Sequence, residues 1–336
     1  MSQAVRVTPA VKVAQGKVRS PWAGFLVRRL VGLAGVLLTL VVGTFLMIQL
    51  VPGDPARQVA GSGATAGQIE QVRHELGLDR TLWDQFVSYV GGLFHGDLGN
   101  SFTGGRPVAQ LIGDRLPFTA QLALIAMVVV LLVSVPLGMA VAVACRGGRR
   151  RWLDSGFTAV TAVAGAVPEY VLATVLVLVF AVTWGVLPAA GAASLSALVL
   201  PVLAVSVGPV CTLARIVRRE TAAVLTQDFM RTARGHRLRS LRLYARHALP
   251  NLLTSTLTLG GLILSGLLGG TVIVEIVFAW PGLGTGVVNA ITARDYPVVQ
   301  GVVLLLGLLA TLLNLLVDVV LGLLDPRTLT GKAGPA

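Results

Sequence analysis

Three carboxylates, Glu169, Glu275 and Asp318, stand inside long stretches that carry almost no other charge. An ionised side chain at the centre of a bilayer costs about 2.5–3.5 kcal/mol on insertion scales, so each must face a protein interior or a wet cavity. Each is thus a candidate for the pathway of a polar cargo. Glu169 lies nearest mid-membrane and directly follows Pro168, a residue able to kink a helix, which makes it the best of the three. Glu275 is a few residues from the outer end of its run and reads more readily as an interfacial acid paired for structure. Asp318, toward the cytoplasmic half of the last run, suits a pathway or a bond to a neighbouring helix equally well.

Catalytic chemistry finds little support. His74-Glu75 begins like a zinc-protease helix, but Leu78 stands where the second histidine belongs. The chain has neither a G-x-S-x-G nucleophile turn nor a G-x-x-x-x-G-K-[ST] phosphate loop, so no enzyme is expected. If nucleotide drives this protein, the motor is another chain. Cys145 and Cys211 fall near cytoplasmic helix ends without the spacing of a metal site or disulfide framework, so no metal and no resident cofactor are expected.

The elements that must position these groups follow from hydropathy. Apolar residues make up 54% of the 336 and charged residues 12%, with a mean hydropathy of +0.80. No soluble globular class fits; the fold class is all-α, a polytopic membrane protein. The net charge of +12 raises the question of nucleic acid, but the basic residues cluster beside apolar runs, not along a face interleaved with aromatics, and no nucleic-acid partner is expected.

Six spans account for the chain. Residues 1–29 are basic and cytoplasmic, and 30–51 form an uncharged first helix of 22 residues. At 1.5 Å per residue that is enough for a hydrocarbon core of about 30 Å, and with no small-residue cleavage site after it the helix is an uncleaved anchor. Residues 52–117 are the one sizeable excursion outside, with helical periodicity at 68–76 and 82–94, where Trp83, Phe86 and Tyr89 settle at the interface or cover a cavity mouth, or belong to a plain surface subdomain. Further helices are read at 116–145, 154–183, 195–217, 252–278 and 298–324, with an outside turn at 183–194, an outside connection at 278–297 and a tail at 325–336. The helix at 252–278 carries Gly261, Ser265 and Gly269 at four-residue spacing, a face that admits another helix closely. With both termini inside, 21 Lys and Arg are cytoplasmic and 6 are outside, the sense of the positive-inside bias. There is no internal repeat, which leaves an inverted-repeat carrier unsupported.

Nine of the 27 basic residues crowd into 215–251, against only Glu220 and Asp228. On a helical reading of 228–245, Phe229 and Ala233, with Leu238, Leu241 and Tyr244, form an apolar stripe among arginines, a face to dock into a partner. The alternative is a solvated loop that fixes topology or holds anionic membrane lipid.

Ordered markers decide between these. QLVPGDPA at 49–56, LGLDRTLWDQF at 76–86, GDLGNSFTGGRPV at 96–108, RLPFTAQLAL at 115–124, VPEY at 167–170, QDFMRTAR at 227–234, RHALPN at 246–251, VEIVFAWPGLG at 274–284, ARDYPVVQG at 293–301 and NLLVDVVLGLLDPR at 314–327 occur in this order. Together they resemble the permease subunits of peptide-type ABC importers, the B-type dipeptide and oligopeptide component, over nearly all of 28–327.

The resemblance implies a type I ABC importer permease fold, with 118–324 as its transmembrane domain and 218–250 as a cytoplasmic coupling loop. The family's EAA motif, a short helix that fits a groove on the ATPase, falls at Arg231, Thr232 and Ala233, with Arg237 at the glycine place, His247 at the isoleucine place, then Leu249 and Pro250. Asp228, Phe229, Arg234 and Gly235 complete the coupling set. Because Arg237 replaces the usual glycine and Gly235 comes two residues earlier, the turn after the docking helix begins earlier or takes another shape. The implied partners are a second homologous permease, two cytoplasmic ATPase subunits that bind ATP and Mg, an extracytoplasmic solute-binding protein and a short peptide, whose amino terminus Glu169 is suited to meet. Rival readings keep the architecture and import nickel or glutathione, or make the chain an ion-coupled carrier that works without an ATPase.

Overall fold

A backbone crossing lipid has only itself to hydrogen-bond, so the apolar runs become helices, and several extend past their uncharged cores. The computed structural model describes residues 21–50, 54–61, 63–235, 243–244 and 248–324. Helix α1 spans Pro21–Leu50, starting well before its uncharged run and so taking Arg28 and Arg29 into the helix. Three short helices follow, α2 (Pro55–Ala60), α3 (Ala66–Glu75) and α4 (Leu82–Phe94). Each begins at a polar cap: Asp54 accepts from the Ala56 N–H at 3.0 Å, Thr65 forms a capping box with Gln68, and Thr81 accepts from the Asp84 N–H at 3.2 Å.

Helix α5 (Val108–Ala144) is followed by a tight glycine turn, then α6 (Arg151–Ala166) and α7 (Glu169–Leu176), the last continued by a π-helical turn over Val177–Thr183. A 3-10 turn at Leu195–Leu198 opens α8 (Val199–Val224), which leads to α9 (Asp228–Gly235). The chain ends in α10 (Leu249–Val277), α11 (Leu283–Thr292) and α12 (Tyr296–Leu324).

Among the described residues five helical stretches are long and apolar enough to cross a membrane, and a sixth span arises if α6 and α7 with its π-turn count as one. This corrects the continuous helix expected over 154–183, since the two pieces meet at 89°. The cause is local. Pro168 disfavours helical geometry at the residue before it, and Val167 accordingly adopts φ −70°, ψ 123°, with Pro168 itself extended at ψ 139°. The connection at 278–297 also proves more than a loop, because α11 within it buries Leu283, Val287 and Ala290 against α5, α10 and α12.

Packing centres on α5 and α8, which share Val130, Leu213 and Val217 as fully buried contacts, while α10 lies across both and against α12. The small-residue face of α10 serves that last contact. At Gly261 a Cβ would fall 2.2 Å from a Val317 methyl, and Ser265 donates to Asn314 Oδ1 at 3.1 Å, whereas Gly269 has open space around it. Helix α1 joins the bundle chiefly along α12, where Gln300 Nε2 donates to the Thr44 carbonyl at 2.6 Å. Phe45 on α1 receives Phe86 of α4 edge-on at 5.2 Å, and Tyr89 lies 3.1 Å from the Thr44 hydroxyl. Of the three aromatics of α4 singled out above, Phe86 and Tyr89 thus pack inward and Trp83 stays 70% exposed.

Candidate coupling surface and transport pathway

Helix α9 hangs from α8 by a short turn, closed by Leu225 N–H to Thr221 O at 2.9 Å and Gln227 N–H to Val224 O at 3.2 Å. One side of α9 is pressed into the bundle. Met230 is fully buried and Ala233 nearly so, in a cluster with Val224 and Leu225 at the end of α8, Leu243, and Ala248 and Leu252 around the start of α10. Met139 and Val143 of α5 border the same cluster, so a push on α9 bears on three spanning helices at once. The other side is open: Asp228, Phe229, Thr232 and Gly235 are exposed.

The expected docking stripe therefore divides. Ala233 turns inward and holds α9 in place, which leaves Phe229 as the apolar side chain on the open face. Arg231 and Arg234 belong to α9, while Arg237, Leu238, Leu241 and His247 lie outside the described residues. Leu249 and Pro250 open α10, the proline in the first turn, where its missing N–H leaves no bond unmade.

A second link ties this end of the bundle together. Asp154 in the first turn of α6 pairs with Arg218 of α8, both side chains mostly buried, at 32% and 24% exposure. The free atoms of the pair, Asp154 Oδ1 and Arg218 Nε, are buried without hydrogen-bond partners among the described residues, beside a cavity of about 210 Å³ that Cys145, Leu225 and Thr226 also line.

The three acids occupy different surroundings. Glu275 is fully buried and accepts from the Thr119 and Thr271 hydroxyls at 2.7 and 3.4 Å and from the Gly284 and Thr285 N–H groups at 2.7 and 3.2 Å. Those backbone donors are the otherwise orphaned groups at the start of α11, so Glu275 acts as a cap from another helix. The fit is tight: at Gly282 a Cβ would come within 2.4 Å of the carboxylate carbon. Four donors use up a carboxylate's acceptor sites, which leaves Glu275 none to offer a cargo. Asp318 is likewise engaged, in an ion pair with Arg29 of α1 at 2.6 Å. Glu169, by contrast, is half-buried at the bend, facing Gly270 of α10, and makes no ion pair or hydrogen bond among the described residues.

Two organising residues were not picked out from sequence. Asp295 is 2% exposed and gathers the Ser101 hydroxyl, the Thr103 hydroxyl at 2.8 Å and the Phe102 N–H at 3.0 Å, fastening the 100–107 loop to the start of α12. An acid just before a helix whose second residue is proline was the available signal. Thr119 had none. Among the described residues no three of His, Cys, Asp and Glu gather as a metal site.

A bundle of membrane-length helices with a short helix wedged into one end makes up a multi-pass protein of the cell membrane. The chain belongs to the family of binding-protein-dependent transport system inner membrane components, whose main model matches residues 134–330 and whose N-terminal model matches 23–123. It is a permease subunit of an ABC importer; ATP hydrolysis belongs to a separate subunit, and no cofactor is indicated for this chain. ATPase and binding-protein partners follow in general from that membership.

Among relatives, a Brucella abortus (strain 2308) protein described as a peptide transport system permease is 40% identical over 300 residues, covering 87% of this chain and 94% of that one. The glutathione transport system permease protein GsiC of Escherichia coli (strain K12) is 39% identical over 303 residues, covering 90% and 97%. An inward-facing MetNI methionine ABC transporter structure matches with a TM-score of 0.56 at 18% identity, covering 64% of this chain and 97% of that one, and shares the type I importer fold.

Proposed function

We propose that this permease carries short peptides inward, paired with a second homologous permease and driven by two cytoplasmic ATPase subunits that bind ATP and Mg. Both termini then lie in the cytoplasm, and an extracytoplasmic binding protein delivers cargo to the opposite mouth. The observation that carries the reading is the two-sided build of α9: Met230 and Ala233 buried against three spanning helices, Phe229 and Thr232 exposed toward a partner. A short helix fixed on one face and open on the other passes rigid-body motion of a docked motor into the bundle. Asp228, Arg231, Arg234 and Gly235 on the same helix, Arg237 after it, and Leu249 and Pro250 at the start of α10 complete the coupling set.

Within the bundle, Glu169 is the acid left to meet a cargo's ammonium group. Peptide cargo is supported by the relative described as a peptide transport permease, and glutathione, itself a short peptide, by the resemblance to GsiC. Reconstitution of the co-purified complex in vesicles tests this directly. ATP-dependent uptake of labelled di- and tripeptides is expected, with glutathione as competitor separating the two cargoes. In Phe229→Asp, ATP hydrolysis persists while uptake falls at least about tenfold, the loss of one well-packed contact. Unimpaired uptake by Phe229→Asp, or uptake by this chain without an ATPase, refutes the proposal.

A further inference from the structure

Between α1 and α12 runs a groove of about 520 Å³ whose walls include Arg28, Arg29 and Gly32 on one side and Asn314 and Asp318 on the other. Arg29 is already neutralised, by Asp318 at 2.6 Å, and its guanidinium lies 5.7 Å from the Phe25 ring centre. Arg28 has no acid partner among the described residues and is exposed. Both arginines fall inside the apolar stretch Gly24–Met47, about one helical turn from its end. A guanidinium at that depth extends toward the headgroup layer, where phosphate oxygens are the fixed negative charges within reach. Deeper along the groove, Leu33 and Val36 give it an apolar floor.

We propose that this groove is a binding site for one anionic phospholipid, its phosphate on Arg28 and one acyl chain along Leu33 and Val36. The sequence argues against the nearest rival occupant. Residues 1–20 carry four basic residues and no acid, so the segment leading into α1 supplies no counter-charge, and in residues 325–336 the single acid, Asp325, is outnumbered by Arg327 and Lys332. Free phosphate meets the charge but leaves the apolar floor uncovered. The site also has a mechanical meaning, because α1 is only 6% buried over its apolar window and meets the bundle chiefly along α12. A lipid seated across the two helices secures that joint. Nothing in this depends on the cargo.

The test uses the purified complex, delipidated in detergent and offered phosphatidylglycerol, phosphatidylcholine or inorganic phosphate. Native mass spectrometry is expected to show retained phosphatidylglycerol about tenfold above phosphatidylcholine, the worth of one charge-assisted contact. Arg28→Gln removes that preference, and Arg146→Gln, an exposed arginine of the glycine turn, keeps it. On the unaltered complex a photoreactive phosphatidylglycerol is expected to label peptides spanning 25–36 or 311–318, a readout that stands even where Arg28→Gln fails to assemble. Equal retention of the two lipids, labelling confined to other helices, or displacement by millimolar inorganic phosphate would each overturn the proposal.

Discussion

The Thr119 hydroxyl of α5 donates to Glu275 of α10 at 2.7 Å and accepts from the Leu283 N–H of α11 at 2.8 Å. One side chain thereby joins three helices and, with Glu275, satisfies the first three backbone donors of α11 inside an apolar bundle. Trp280 closes the same corner, its indole N–H donating to the Phe118 carbonyl at 3.1 Å. The polar hub orients the segment between α10 and α12, and through it the loop that Asp295 anchors.

Removing the hub acid should therefore cost far more than an average substitution. Glu275→Ala leaves four donors unmatched in a dry site and is expected to destabilise the complex by about 3 kcal/mol or more. Glu275→Gln keeps the shape but sets an amide N–H₂ against existing donors, at a cost of about 1–2 kcal/mol. Thermal unfolding of the purified complex ranks the two, and an unfolding temperature unmoved in Glu275→Ala would contradict the hub.

The α10–α12 contact makes a second quantitative demand. Because a Cβ at Gly261 would sit 2.2 Å from a Val317 methyl, Gly261→Ala overpacks the crossing and is expected to cost about 2 kcal/mol. Val317→Ala removes the obstructing methyls, so the double variant should recover much of the loss. Strictly additive losses in a double-mutant cycle would mean that the two helices do not meet there.

How far such features can be read in advance depends on how local their causes are. The spans announced themselves, since uncharged runs of membrane length have few other uses, although α10 opens at Leu249, three residues before the expected 252. Pro168 announced a disturbance but not its size: a proline within a helix can bend it gently, and only the extended geometry of Val167 turns the disturbance into an 89° break. The stripe on α9 was visible as a stripe, yet periodicity cannot say which apolar residue faces home and which faces a partner. Met230, buried, escaped notice beside Phe229, which is exposed. Partnerships across long separations were invisible, Thr119 lying 156 residues from Glu275 and Ser101 lying 194 from Asp295.

The pair Asp154–Arg218 links α6, which ends at the bend, to α8, which carries α9. Movement of α9 can then reach the bend through one ion pair. Asp154→Asn leaves a mostly buried guanidinium uncompensated and is expected to lower peptide taken up per ATP hydrolysed several-fold. The exchange Asp154→Arg with Arg218→Asp restores the attraction and should recover most of that ratio. Vesicle assays measuring both quantities decide, and a charge exchange no better than either single variant would leave the pair without a coupling role.

Glu169 supplies the most direct test of the pathway. It begins α7 at the bend, makes no hydrogen bond or ion pair among the described residues, and its half-buried position beside Gly270 leaves the oxygens open to a visitor. On the proposed function a peptide's ammonium group is the counter-ion expected there, since pairing at a half-buried position offsets what each charge loses in leaving water. Glu169→Gln removes the charge and keeps the shape, so the complex should assemble and unfold as before while the KM for peptide rises about tenfold, the loss of one charge-assisted bond. Peptides with an acetylated amino terminus lack the cation and should be transported poorly by the natural protein but no worse by Glu169→Gln. That crossed comparison separates contact from mere proximity: if Glu169→Gln weakens free and acetylated peptides by the same factor, the carboxylate does not meet the amino terminus.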